Sequence, residues 1–160
     1  MNKYILIHPN PRKNPDNTIN AKTYPWEYWE QFVSLFKQKY PDIDIYCVGL
    51  SGDKPINGTI AYFDLPLAKI KSLAEEALLV ISVDSFLQHL LAKSNKPMIV
   101  LWGPSNPEIF GYDKNINLYV DKKYFRPDPY GVWQIIKWNK DAFILPEKIM
   151  DSLEPFIRNI

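Results

Sequence analysis

The side chains whose types and spacing best suit chemistry are Asp84, Ser85 and His89. They follow an apolar run over residues 78–83. They open a helical pattern in which Phe86, Leu87, Leu90 and Leu91 are apolar. In open α/β sheets, ligands bind where the carboxyl end of a strand gives way to its helix. Residues four apart share a helical face, so Ser85 and His89 are expected on one side. A hydroxyl, the unpaired amides of a first helical turn and an imidazole together suit a diphosphate. Asp84 would then be available to a hydroxyl of a sugar or ribose. The same residues also fit a plainer role, with Asp84 or Ser85 as an N-cap and His89 as a partly buried polar residue.

Further candidates stand at other strand ends. Lys22 lies three residues before Pro25, at the entrance to the first helix. A lysine there can reach a phosphate at the edge of the sheet, although a solvated loop lysine is the commoner case. Gly103 and Pro104 follow a second apolar run, 98–102, and offer backbone to a ligand or simply a tight turn. Asp53 follows the second strand, where an acidic residue meets a ribose in dinucleotide folds. Asn10 follows the first strand and tolerates a left-handed backbone as glycine would. No G-x-G-x-x-G follows the first strand and there is no P-loop, which argues against a conventional NAD site. Two distant histidines and one cysteine argue against a zinc site, so no metal or cofactor is expected. No residue stands out as a general base, and the catalytic residue is left unassigned.

The elements that must position these residues alternate between strand and helix. Short continuous apolar runs over 4–7, 44–48, 78–83 and 98–102 suit parallel strands buried on both faces. Residues 59–62 and 116–120 suit two shorter ones. Trp26, Trp29, Phe32, Val33 and Phe36 recur at helical spacing behind Pro25, taken as the first helical residue, and read as core packing. A helix over 66–76 follows, and another over 146–158. Ser105 and Glu108 are spaced as a capping box. Residues 9–24 read as a long polar loop, and 121–141 as an ordered loop anchored by Tyr124, Phe125, Tyr130, Trp133 and Trp138. The expectation is a single α/β domain over 1–160, a Rossmann-like doubly wound parallel sheet of about six strands in the order 3-2-1-4-5-6.

Composition removes several classes. A net charge of +1, with only three arginines, favours neither nucleic acid nor an anionic membrane. No stretch is long enough to span a bilayer, and the first residues hold too short an apolar run for a signal peptide. Cys47 sits in an apolar run and reads as a buried structural thiol. A reducing cytoplasm is the expected compartment.

Four motifs occur in a telling order. Ile7-His8-Pro9-Asn10 ends the first strand. Lys22-Thr23-Tyr24-Pro25 precedes the first helix, with Trp29 further on. Asp84-Ser85-Phe86-Leu87-Gln88-His89 and then 96–107, KPMIVLWGPSNP, complete the set. They resemble the I-H-P-G, K-R-W-P, D-S-G-x-x-H and K-P-V-V-x-L-F-G-P-T-x-P motifs of the heptosyltransferases, the ADP-heptose:lipopolysaccharide branch of glycosyltransferase family 9. The match runs from residue 5 to about 112, in the C-terminal, nucleotide-sugar-binding half of a GT-B fold. The resemblance implies that Lys22 contacts the donor phosphates and that Asp84, Ser85 and His89 hold the sugar-diphosphate. It also implies that Asp53 meets the ribose. Phe86 departs from it, standing where the family has a glycine that lets phosphate approach the backbone. The acceptor-binding half, which carries the family's catalytic base, is expected on a separate acceptor-domain protein or to be replaced by self-association as a homodimer. The alternatives are a non-catalytic module that binds or sequesters a nucleotide or nucleotide sugar, and a ligand-free interaction protein on the same fold.

Overall fold

The computed structural model describes residues 2–132 and 136–158. Six parallel strands form one sheet: β1 (Tyr4–His8), β2 (Asp44–Gly49), β3 (Ile60–Phe63), β4 (Val80–Val83), β5 (Met98–Leu101) and β6 (Ile116–Leu118). Their order is β3-β2-β1-β4-β5-β6, the doubly wound Rossmann-like arrangement expected from the sequence. Helices α1 (Trp26–Lys39), α2 (Leu67–Glu76), α3 (Phe86–Leu90), α4 (Pro107–Phe110) and α5 (Pro146–Ile157) connect and cover the strands.

The apolar runs explain both layers. β1, β4 and β5 are buried at every position, because helices lie on both faces of the sheet. Alternate residues then feed two cores. Ile5, Ile7, Ile81 and Val83 join Trp29, Phe32 and Phe36 of α1 and Ile149 and Leu153 of α5. Tyr4, Leu6 and Val80 join Ile70 and Ala74 of α2, Leu87 of α3 and Trp102. Cys47 lies in the first core, and burial pushes its thiol up to about 12, as a structural cysteine requires.

Several boundaries differ from the sequence reading. Pro25 is the N-cap of α1 rather than its first helical residue. β6 stops at Leu118. Asn106, not Ser105, caps α4, its side chain accepting from the Glu108 amide at 2.9 Å. Proline at the first helical position fixes that register one residue later than the capping-box spacing implies. Among the described residues, the 121–141 stretch includes the 3₁₀ turn Lys122–Tyr124 and the start of a second, Lys140–Ala142. Tyr124 and Trp138 pack on the first core, and the Trp138 indole donates to the Thr23 carbonyl at 2.7 Å. Trp133 falls outside the described residues.

This topology creates a switch point. From β1 the chain runs out to β2 and β3, then returns to β4 on the other side of β1. A crevice opens beyond the carboxyl ends of β1 and β4, the position where doubly wound sheets bind ligands.

Candidate functional site

A cavity of about 730 Å³ fills that crevice. The end of β1 contributes His8 and Asn10, and the end of β4 contributes Asp84, Ser85 and, from α3, Phe86 and His89. The 9–24 loop supplies Arg12, Lys13, Asn20 and Lys22 along one wall. The turn after β2 and the start of α2 supply Leu50, Asp53, Leu65, Leu67 and Ile70 opposite. Three cations on the loop side therefore face a largely apolar wall that also holds Asp53.

An ion pair joins the loop to the sheet. Lys22 Nζ lies 2.8 Å from Asp84 Oδ2, with the lysine side chain 22% and the aspartate 8% exposed. The other oxygen, Oδ1, accepts from Gln88 Nε2 at 2.8 Å. Asp84 is therefore gripped on both oxygens, and any ligand hydroxyl must share it. Four residues separate Asp84 from Gln88, so the short α3 brings the amide back over the carboxylate. His89 projects from the exposed side of α3, with Nδ1 2.9 Å from the Tyr112 hydroxyl.

Ser85 is used differently from the sequence expectation. It caps α3, accepting from the Leu87 amide, and its Oγ lies 3.0 Å from His8 Nδ1 and 3.1 Å from Ser82 Oγ. The Ser82 hydroxyl is committed to the Val83 carbonyl at 2.8 Å. The consistent assignment has the Ser85 hydroxyl donating to a neutral His8. Burial drives the His8 pKa down to about 4, against an opposing pull from Asp53. α3 is only five residues long, so its dipole is weaker than the longer helical pattern suggested for anion binding. The serine acts as a structural hub at the cavity floor.

Phe86, the first helical residue of α3, is 41% exposed and stands edge-on to His8, with ring centroids 5.0 Å apart. It lines the cavity and covers part of the histidine ring.

The remaining candidates divide. Asn10 lines the cavity, and its Nδ2 is buried without a hydrogen-bond partner among the described residues. Its backbone is not left-handed; among the described residues other than glycine, only Asn17 and Asp64 have positive φ. Asp53 folds back on its own turn, accepting from the Leu50 amide at 2.8 Å, with Lys13 3.8 Å away. Gly103 and Pro104 do not line the cavity. They are buried, and a Cβ on Gly103 would come within 2.5 Å of the Phe143 ring. The Pro104 carbonyl accepts from the Arg126 amide at 2.9 Å. Their role in the fold is packing at a sealed strand end, not the open backbone the sequence suggested.

Sequence reasoning left His8, Arg12, Lys13, Asn20 and Gln88 unassigned. The cations carried a signal in the polar loop. Gln88 carried one too, four residues beyond an acidic strand end. His8 could be placed only once β1 and β4 were paired, with His8 opposite Ser82.

A second cavity, about 320 Å³, meets the first at Lys22, Asp84 and His89 and is completed by Phe110, Pro129, Tyr130 and Gly131. Among the described residues, no group of three or more His, Cys, Asp or Glu side chains is placed to hold a metal ion, and no helix is long and apolar enough to cross a membrane.

No curated protein matches the chain by sequence. Solved structures do match by fold. Escherichia coli ADP-heptose lps heptosyltransferase II superposes with a TM-score of 0.70 at 14% identity, covering 98% of this chain and 47% of that one. E. coli heptosyltransferase WaaC with ADP gives 0.65 at 17%, covering 97% and 44%. The dodecameric glycosyltransferase TibC of enterotoxigenic E. coli gives 0.73 at 14%, covering 99% and 46%. The chain thus spans less than half the length of these proteins, as a partial GT-B domain does. The family description "Glycosyltransferase family 9 (heptosyltransferase)" matches residues 1–128, most of the sequence and all of the cavity's lining, and the chain belongs to that family.

Proposed function

We propose that the cavity binds a nucleoside diphosphate sugar, an ADP-heptose-like donor, and that residues 1–160 are the donor-binding domain of a cytoplasmic glycosyltransferase. Its acceptor half would be a separate domain or a second copy of the chain. The observation that carries this reading is the set of donors converging on the β1–β4 crevice. Lys22 sits on Asp84 at 2.8 Å, and elsewhere in the lining of the same cavity the Asn10 amide nitrogen is buried without a partner among the described residues. Buried donors are nearly always satisfied, so an orphan on a cavity wall is a donor open to a ligand acceptor. The solved likeness bound to ADP, and membership of the family, support the same class of ligand.

In this reading Lys22 takes the diphosphate, and His89 and Asn10 donate to its oxygens. Asp84 holds Lys22 until the ligand arrives and then accepts from a sugar hydroxyl. Transfer builds negative charge on the departing nucleoside diphosphate. Fixed donors aimed at that charge lower the barrier without reorganising. The apolar wall of Leu50, Leu65, Leu67 and Ile70 suits the base. Phe86 and the prior engagement of Ser85 favour a second reading, a module that binds the nucleotide without transferring the sugar. A protein that kept the fold and lost the ligand is the third.

Thermal unfolding with ADP, UDP, GDP, CMP and their sugars tests the proposal. A true ligand at one hundred times its Kd adds about 2.7 kcal/mol of stability. Lys22→Ala weakens that ligand by tenfold or more, read as Kd by calorimetry because the ion pair also affects folding. No stabilisation by any nucleotide overturns both binding readings, and an unchanged Kd for Lys22→Ala moves the site elsewhere. Sugar transfer or donor hydrolysis separates the enzyme from the binder.

A further inference from the structure

We infer that Tyr130, in the lining of the smaller cavity, is the stacking platform for the glycosyl group of the ligand and a determinant of its selectivity. This rests on the donor-binding reading of the larger cavity. The two cavities share only Lys22, Asp84 and His89. A single ligand that spans both must place its middle at that shared boundary, where Lys22 and His89 suit a diphosphate and Asp84 suits the first hydroxyls beyond it. The larger cavity, at about 730 Å³ with an aliphatic wall, takes the nucleoside. The smaller, at about 320 Å³, takes what lies beyond the second phosphate.

The walls of the smaller cavity match the chemistry of a sugar. A pyranose carries hydroxyls around its rim and C–H groups on its faces. The rim needs a hydrogen-bond acceptor beside the diphosphate site, and Asp84 supplies it. The Tyr112 hydroxyl occupies His89 Nδ1, which leaves Nε2 as the ring nitrogen for a ligand. The face needs an aromatic surface. Tyr130, in the lining of the smaller cavity and 78% exposed, offers one. Its one ring partner among the described residues is Phe110, edge-on with centroids 5.7 Å apart, which braces the ring from the side.

The turn that presents the ring is built tightly. The Tyr130 amide donates to Asp128 Oδ1 at 3.0 Å, so an aspartate-led turn fixes the residue. The Gly131 amide donates to the Asp128 carbonyl at 3.4 Å. A Cβ there would lie 2.5 Å from Arg126 Nη2 and 2.9 Å from Asp128 Oδ2. An exposed tyrosine on a fixed turn, over a pocket floored by a carboxylate and an imidazole, discriminates a glycosyl group from a bare phosphate. A nucleoside diphosphate alone makes no use of it.

The test compares matched ligands by calorimetry: ADP with ADP-glucose and ADP-mannose, and UDP with UDP-glucose. In the unaltered chain at least one sugar nucleotide binds roughly five- to tenfold tighter than its nucleoside diphosphate, the range of one aromatic contact. Tyr130→Ala abolishes that increment and leaves the nucleoside diphosphate Kd within about twofold. Tyr130→Phe retains the increment, because the ring and not the hydroxyl supplies it. The high exposure of Tyr130 makes both variants safe for folding, and melting curves check this. No increment for any pair overturns the inference, as does an equal loss for both ligands on Tyr130→Ala. If neither nucleoside diphosphates nor their sugars bind, the donor-binding proposal itself fails, and this inference with it.

Discussion

The carboxyl ends of β4 and β5 lie side by side in the sheet, with Val83 in register with Leu101, yet only the first opens onto a cavity. After β4 the chain places Asp84 against Lys22 and Gln88 and borders open space. After β5, Trp102, Gly103, Pro104 and Ser105 are all buried. Phe143 lies against Gly103, and the Arg126 amide takes the Pro104 carbonyl. The difference is set by what returns over each edge. The 9–24 loop crosses the β1–β4 edge and forms a wall with charged side chains. The segments around Arg126 and Phe143 come down directly on the β5 edge. A polar strand end becomes a binding site only where the rest of the chain leaves room beyond it.

The largest expected effect is at Asp84, where structure and ligand contact coincide. Asp84→Ala leaves Lys22 without its carboxylate and the Gln88 amide without its acceptor. Breaking one side of a buried pair costs about 3–5 kcal/mol, and the partial exposure of Lys22 lowers the expected loss to roughly 2–4 kcal/mol. Urea unfolding measures this. The same variant weakens nucleotide-sugar binding by at least about tenfold, 1.4 kcal/mol. A loss of stability with unchanged affinity would make the β4 end as purely structural as the β5 end.

The second contrast is in pH. Residues 102–105 contain no titrating side chain, whereas the β1–β4 edge buries His8. Its folded pKa, about 4, lies below the ordinary 6.5. Between these values the unfolded chain binds more protons than the folded one. Stability from this group is therefore complete above about pH 6.5 and falls as the pH drops towards 4, by on the order of 3 kcal/mol. Urea midpoints between pH 7 and 4.5 give the slope, and His8→Gln flattens it. Equal slopes for both proteins would show that the histidine gains its proton at no cost and is not sealed by Phe86 and Ser85.

Much of this was legible in the residues. Continuous apolar runs defined the strands, and their alternation with helices gave the sheet order. Of the cavity members, Asn10, Asp53 and Asp84 follow strand ends, Lys22 precedes the first helix and His89 lies one turn into the helix after Asp84, and topology gathers all five. What stayed hidden depended on contacts between distant residues. Gly103 read as open backbone because nothing local announces Phe143, forty residues later. Ser85 read as a ligand donor because its partner His8 is seventy-seven residues away. Phe86 read as one apolar residue of a longer helix. A helix of five residues instead leaves it at the first position, edge-on to that histidine. Local pattern reports which element a residue joins, and only packing reports which of its atoms remain available.

The smallest of these effects tests the sealed edge by itself. Gly103→Ala adds one methyl group, 2.5 and 2.6 Å from two atoms of the Phe143 ring. Phe143 is 3% exposed and belongs to the core beneath α1 and α5, so the ring has little room to withdraw. Overpacking of this kind costs about 1–3 kcal/mol. For a chain of this size that lowers the Tm by roughly 2–4 °C per kcal/mol. The ligand affinity of the folded protein is expected to stay within about twofold, because Gly103 does not line the cavity. Calorimetric Kd and thermal melts on the same sample separate the two outcomes. A stable variant that binds the nucleotide sugar poorly would put the ligand at the β5 end after all and reverse the contrast between the two edges.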